Sequence, residues 1–258
     1  MVTSFNLFTS VAWIVAGVIS AIISILFLLK NPKKRLNQLF STGFVFWSIS
    51  LFFNGLNFAV AYRSLFAANI CRDLAIFTGI FSAIFLFISA IGIYFGAEKL
   101  HWSLYIISLA VATVLSVFGS LNDWVVVDGL GGYKTTDNLF GKTCVQLIPA
   151  VFVIVGAILL VMTYFTLKNK SAKKRIGYFI IGFSTIIIGL LMFLIDSLVN
   201  ISPYIFPTLA ILTWVTGPIL MLAGFYVKVD VSLKYLPAPD ISTLESKTLD
   251  PKQIERPS

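Results

Sequence analysis

Asp196 stands inside a hydrophobic run, Phe193-Leu194-Ile195-Asp196-Ser197-Leu198. An ionisable group at membrane depth is costly, so it marks a functional position by default. Of the eleven acids in the chain, it alone lies well within such a run. Asn54 and Asn57 approach the same depth on a second apolar segment, and Arg72 and Asp73 open a third. Trp214 falls near the middle of the last apolar segment, beside Thr213, Thr216 and Pro218. A pocket gathering Asn54, Asn57, Arg72, Asp73 and Asp196, with Trp214 on its wall, would bind an unknown small ligand or a cation, or carry a proton. The competing reading is structural. Asp196 then pairs with Arg72 or Arg63 or reaches interfacial water, Asn54 bonds two helices together, and Trp214 packs. Ser82, Ser89, Thr213 and Thr216 are expected to bond back to their own helices.

Other chemistry is excluded by inventory. The chain has one histidine, His101, and two cysteines, Cys71 and Cys144. No two-histidine metal set, Cys-x-x-Cys pair or phosphate loop exists, so neither metal nor other cofactor is expected. A retinal pigment needs a lysine inside a helix, and the last apolar segment has none before Lys228. No two acids lie deep enough together to share acid–base work, and a non-enzymatic protein is expected. Cys71 and Cys144 both fall at the outer surface by hydropathy and loop charge. An oxidising exterior permits a disulfide there, tying the outer loop to the top of helix three.

These residues need a membrane bundle to position them. Hydrophobic residues make up 58% of the 258 residues and charged residues 12%, with mean hydropathy +0.95. A soluble domain is nearer about 45–50% and 25%. A spanning helix needs roughly 20 mostly apolar residues, and seven segments qualify: 7–29, 39–60, 70–95, 102–120, 144–167, 176–199 and 204–227. The fold class expected is all-α, a seven-transmembrane helix bundle over residues 1–228. The first segment reads as an uncleaved helix, long enough to span and followed by four basic residues.

Basic residues set the orientation. Lys30, Lys33, Lys34 and Arg35 follow segment one, Lys99 follows segment three, and Lys168, Lys170, Lys173, Lys174 and Arg175 follow segment five. The opposite loops hold only Arg63, Arg72, Lys134 and Lys142. The expectation is an outward N-terminus and a cytoplasmic C-terminus. The net charge of +8 then sits mainly on the inner face, where it attracts anionic membrane lipid. No basic domain exists for a nucleic acid to use.

Two basic turns resemble each other: Leu29-Lys30-Asn31 before Lys33-Lys34-Arg35, and Leu167-Lys168-Asn169 before Lys173-Lys174-Arg175. Helices one to three and five to seven are either parallel repeats around a linking helix four, as in some transporters, or alike through charge selection alone. The outer loop 121–142 carries strand composition at Trp124-Val125-Val126-Val127, turn chemistry at 128–132 and a return strand at Tyr133-Lys134-Thr135-Thr136. It predicts a β-hairpin, serving as a lid or as a plain solvent loop, with Cys144 and bundle packing to fix it. Trp13, Trp102 and Tyr204 suit interfacial belts. The tail 229–258, with four prolines and balanced charges, has the composition of a disordered cytoplasmic segment.

The span 7–227 resembles the seven-helix sensor region that heads some archaeal and bacterial histidine kinases. The likeness lies in Asn31-Pro32-Lys33-Lys34-Arg35 entering helix two, the glycine-containing loop after helix four, and Lys173-Lys174-Arg175 entering helix six. It implies a bundle in a prokaryotic cytoplasmic membrane that senses a signal and passes it on through helix seven. The tail has no room for a kinase, so output would go through a separate protein partner. The cysteine placement is similar to that of G-protein-coupled receptors, but helix three ends Tyr94-Phe95-Gly96-Ala97-Glu98, without an Asp-Arg-Tyr. The leading expectation is a receptor-like sensor with an outward-facing pocket. A small-molecule transporter and an accessory subunit of a membrane complex are the rivals.

Overall fold

The computed structural model describes residues 4–121, 123–127, 133–135, 140, 143–199 and 205–228. For 4–8, 134–135, 193–194, 196–199 and 205–207 it describes the backbone alone. The tail 229–258 lies outside the described residues. Among the described residues, seven helices are long and apolar enough to cross a membrane. They are α1 (Ser4–Lys30), α2 (Arg35–Ala61), α3 (Leu65–Phe95), α4 (Trp102–Ser120), α5 (Ile148–Thr166), α6 (Lys170–Val199) and α7 (Ile205–Tyr226). In hydrocarbon every backbone polar group needs an internal partner, and a helix supplies it within one segment. Several helices start earlier than their apolar runs, because polar first turns such as Arg35 to Gln38 continue the helical ladder outside the hydrophobic window. Ser64 caps α3 by accepting from the Ala67 N–H at 3.2 Å. Gly96, at φ +94°, ends it.

Six helices form a ring. α1 packs on α2, α2 on α3, α3 on α5, α5 on α6, α6 on α7, and α7 closes on α1. α4 lies against α3 and the turn that leads into α5. Serine hydroxyls bonded to backbone carbonyls of the neighbouring helix join α1, α2 and α3. The Ser24 hydroxyl donates to the Ser41 carbonyl at 2.9 Å, Ser48 to Gly17 at 2.7 Å, and Ser50 to Ala75 at 2.7 Å. Ser82 departs from expectation, donating to Gly43 of α2 at 2.8 Å. It is fully buried on the α2-facing side, where a neighbouring carbonyl comes within reach. Ser89, Thr213 and Thr216 do bond within their own helices. α6 and α7 approach most closely at glycines: a Cβ on Gly217 would stand 2.8 Å from the Gly182 carbonyl oxygen.

The two ends of the ring differ. At the end carrying the basic turns, Phe27, Phe40, Phe44, Phe179 and Phe225 are buried together, with Phe27 edge-on to Phe225 at 4.6 Å and Phe40 at 5.1 Å from Phe179. Both basic turns close through asparagine. Asn31 Oδ1 accepts from the Lys33 N–H at 3.2 Å, and Asn169 Oδ1 accepts from Ser171 and Ala172 at 2.8 and 3.2 Å. The shared Leu-Lys-Asn therefore has a local purpose as an Asx turn.

At the opposite end β1 (Val125–Val127) pairs antiparallel with β2 (Tyr133–Thr135), Val126 facing Lys134. Asn69 of α3 brackets Val125, and Trp124 inserts beneath it, 1% exposed, donating to the Gly119 carbonyl at 2.7 Å. Cys71 and Cys144 do not form the expected disulfide; both are free thiols. Cys144 is buried in an apolar cluster with Ile76, Ile80 and Trp124. Its neighbour Val145 meets Ile76 across Gly119, more than a turn along α3 from Cys71. The loop is held by Asn69 and Trp124 instead.

Candidate functional site

A cavity of about 110 Å³ lies inside the ring towards the hairpin end. Its position follows from helix direction. The second halves of α2 and α6 and the first halves of α1, α3, α5 and α7 meet at this level. On α2 it is bordered by Trp47, Ser50, Leu51 and Asn54, the i, i+3, i+4, i+7 face of one helix. α3 contributes Arg72, Ala75, Ile76 and Gly79 to the same space. α5 reaches it through a π-helical turn, Thr143–Leu147, that carries Gln146. Such single turns interrupt the regular ladder and recur at functional sites.

Three tryptophans wall the cavity. The Trp214 ring lies 5.1 Å from Trp13 and 5.2 Å from Trp47. The Trp214 Nε1–H donates to the Ile186 carbonyl at 3.3 Å, which fixes the ring against α6. Thus Trp214 both packs and lines a cavity. Trp13 is not an interfacial residue. It is 5% exposed, because α1 turns it inward onto α7 and the cavity. Trp102 is 77% exposed, as an interfacial residue would be.

The polar members of the cavity are sparse and under-used. Arg72 donates through Nη1 to the Asn54 side-chain oxygen, joining α3 to α2. Its Nε is buried without a hydrogen-bond partner among the described residues. The same holds for Trp47 Nε1 and Gln146 Oε1. All three residues border the one cavity. Among the described residues that line it, Arg72 is the only charged one.

Of the residues expected from sequence, Asn54, Arg72 and Trp214 come together here. Asn57 and Asp73 do not line the cavity. Asn57 is 0% exposed, with both amide atoms unpartnered among the described residues, one turn along α2 from Asn54 and beyond the lining. Asp73 follows Arg72, and a step of one residue turns it about 100° around the helix. The Asp196 side chain lies outside the described residues. Trp47 and Gln146 were not singled out in the sequence. Trp47 sits a heptad before Asn54, a spacing that points to a shared face; Gln146 gives no such signal, since it depends on the π-helical turn.

No known protein-family model matches the chain, and no curated protein is significantly similar to it. The fold and cavity define a multi-pass membrane protein with an internal pocket, and its function is argued from that pocket.

Proposed function

We propose that the chain is a non-enzymatic, receptor-like protein of a prokaryotic cytoplasmic membrane. It binds a small molecule in the cavity and signals through a separate protein partner. The observation that carries this reading is the set of three unpartnered buried polar atoms, Trp47 Nε1, Arg72 Nε and Gln146 Oε1, around one tryptophan-walled space. An unsatisfied buried polar group costs about 1–3 kcal/mol, and native proteins leave few. Three on one cavity call for a ligand that completes them.

The positive-inside rule, applied to the basic turns, supports a cytoplasmic position for the aromatic-plugged end and an outer one for the hairpin end. The cavity then faces outward, while Phe27, Phe40, Phe179 and Phe225 close the route inward. That asymmetry favours a receptor over a transporter. The transporter reading keeps one support of its own, the matching Asx turns at Asn31 and Asn169, which suit a repeat of three helices.

Accessibility separates the two. Ala75→Cys, on a Cys71→Ser/Cys144→Ala background, places a thiol in the cavity wall. In sealed vesicles of either orientation, an impermeant thiol reagent should label it from the hairpin side alone. Labelling from both sides would support transport. Labelling from neither would remove the open pocket on which both depend.

A further inference from the structure

We infer that the cavity takes a small carboxylate with a short apolar body, an inference that rests on the receptor-like reading of this cavity. A guanidinium enclosed in a membrane bundle is expensive unless an anion meets it. Asp73, the next residue on α3, attracts it, but no carboxylate among the described residues lies in ion-pair contact with the guanidinium. Its Nη1 is spent on Asn54, a neutral amide oxygen. Its Nε–H has no partner among the described residues, and neither has the Trp47 Nε1–H, on a second residue that lines the cavity. Two fixed donors, one of them charged, suit an acceptor that carries negative charge on oxygen. Arginine prefers a planar carboxylate over a point anion because its donors lie in one plane.

The remaining surroundings exclude other classes. Among the described residues no acid lines the cavity, so an amine would face Arg72 without a counter-charge from them. No second basic residue among the described ones lines it either, so a phosphate dianion would be left half-compensated. The walls are Trp13, Trp214, Leu51, Ile80 and Val153, which take an apolar body rather than a second polar group. The Gln146 amide end, whose oxygen and nitrogen exchange places by a flip, can meet whichever polar edge is left. At about 110 Å³ the space suits a molecule of about benzene's size, since an engineered cavity of about 150 Å³ binds benzene.

The chain supplies its own reporter, because three of its five tryptophans border the cavity. Full-length protein in phosphatidylcholine nanodiscs should be titrated with butanoate, 3-methylbutanoate, butanamide and butylamine at one pH. The two carboxylates should change tryptophan fluorescence saturably, with the amide at least about 10-fold weaker and the amine silent. Trp47→Phe, which keeps the ring and loses the N–H, should weaken butanoate several-fold. Arg72→Gln should abolish its binding; if that variant does not fold, Trp47→Phe still decides. Equal binding of butanoate and butanamide, unaltered in Trp47→Phe, would overturn the carboxylate assignment and leave the pocket standing. No response to any of the four probes would overturn both.

Discussion

Asn69 and Val125 are joined by two hydrogen bonds that run in opposite directions. Asn69 Nδ2 donates to the Val125 carbonyl at 3.2 Å, and the Val125 N–H donates to Asn69 Oδ1 at 2.8 Å. A side-chain amide on α3 thereby acts as the neighbouring strand of β1. An isolated two-stranded hairpin is marginal in water, so this bracket and the buried Trp124 anchor it to the bundle. Asn69→Ala should leave two backbone groups of Val125 unpartnered, at a cost of roughly 1–3 kcal/mol. Amide hydrogen exchange over Val125–Val127 should quicken, while exchange in mid-α3 stays slow. Unchanged exchange in the hairpin would show that Trp124 alone holds it.

The thiols make a second test. Denaturing alkylation without reductant should label both Cys71 and Cys144. In the folded protein Cys71, only partly buried, should react well before the buried Cys144. A reductant should leave the unfolding midpoint where it was. A reductant-dependent midpoint would restore the disulfide.

The α6–α7 seam depends on glycine. A Cβ at Gly217 would meet Ile186 at 2.7 Å and the Gly182 carbonyl oxygen at 2.8 Å, whereas at Gly177 the nearest atom is 3.9 Å away. Backbone at that distance cannot yield without parting the helices. Gly217→Ala should lower stability by about 1–3 kcal/mol, read by unfolding in mild detergent, and Gly177→Ala should stay close to wild type. Equal midpoints for the two variants would contradict the packing described here.

Orientation can be measured at the two Asx turns. Cysteines placed at Asn31 and Ser171, on a background without native cysteines, should resist an impermeant thiol reagent in intact cells. Lysis should expose both. Labelling of both in intact cells would invert the bundle and turn the cavity to the cytoplasm.

Helix number and type were legible because hydrophobic length has one physical meaning in a membrane; the first six runs are separated by charged or glycine-containing turns, and the last two by Asn200-Ile201-Ser202-Pro203. Asn54, Arg72 and Trp214 were legible because polar or bulky groups at depth need a reason. Asn57 and Asp73 were grouped with them by depth alone, and depth does not specify which way a helix face points. Trp47 was hidden because, unlike Trp214 beside Thr213, Thr216 and Pro218, its part in the site shows only once its heptad partner Asn54 is known to face a cavity. The disulfide failed on register. Hydropathy put Cys71 and Cys144 at one surface, whereas the turn entering α5 carries Cys144 down among Ile76, Ile80 and Trp124.

The claim that this cavity holds a ligand is tested most directly by a density map of the protein taken from its own membrane without detergent exchange. The expected result is a compact non-protein feature between Arg72, Trp47 and Gln146, with Trp13 and Trp214 against its other side. A cavity holding only scattered water, or one closed by Arg72 turning onto a protein carboxylate, would contradict the account.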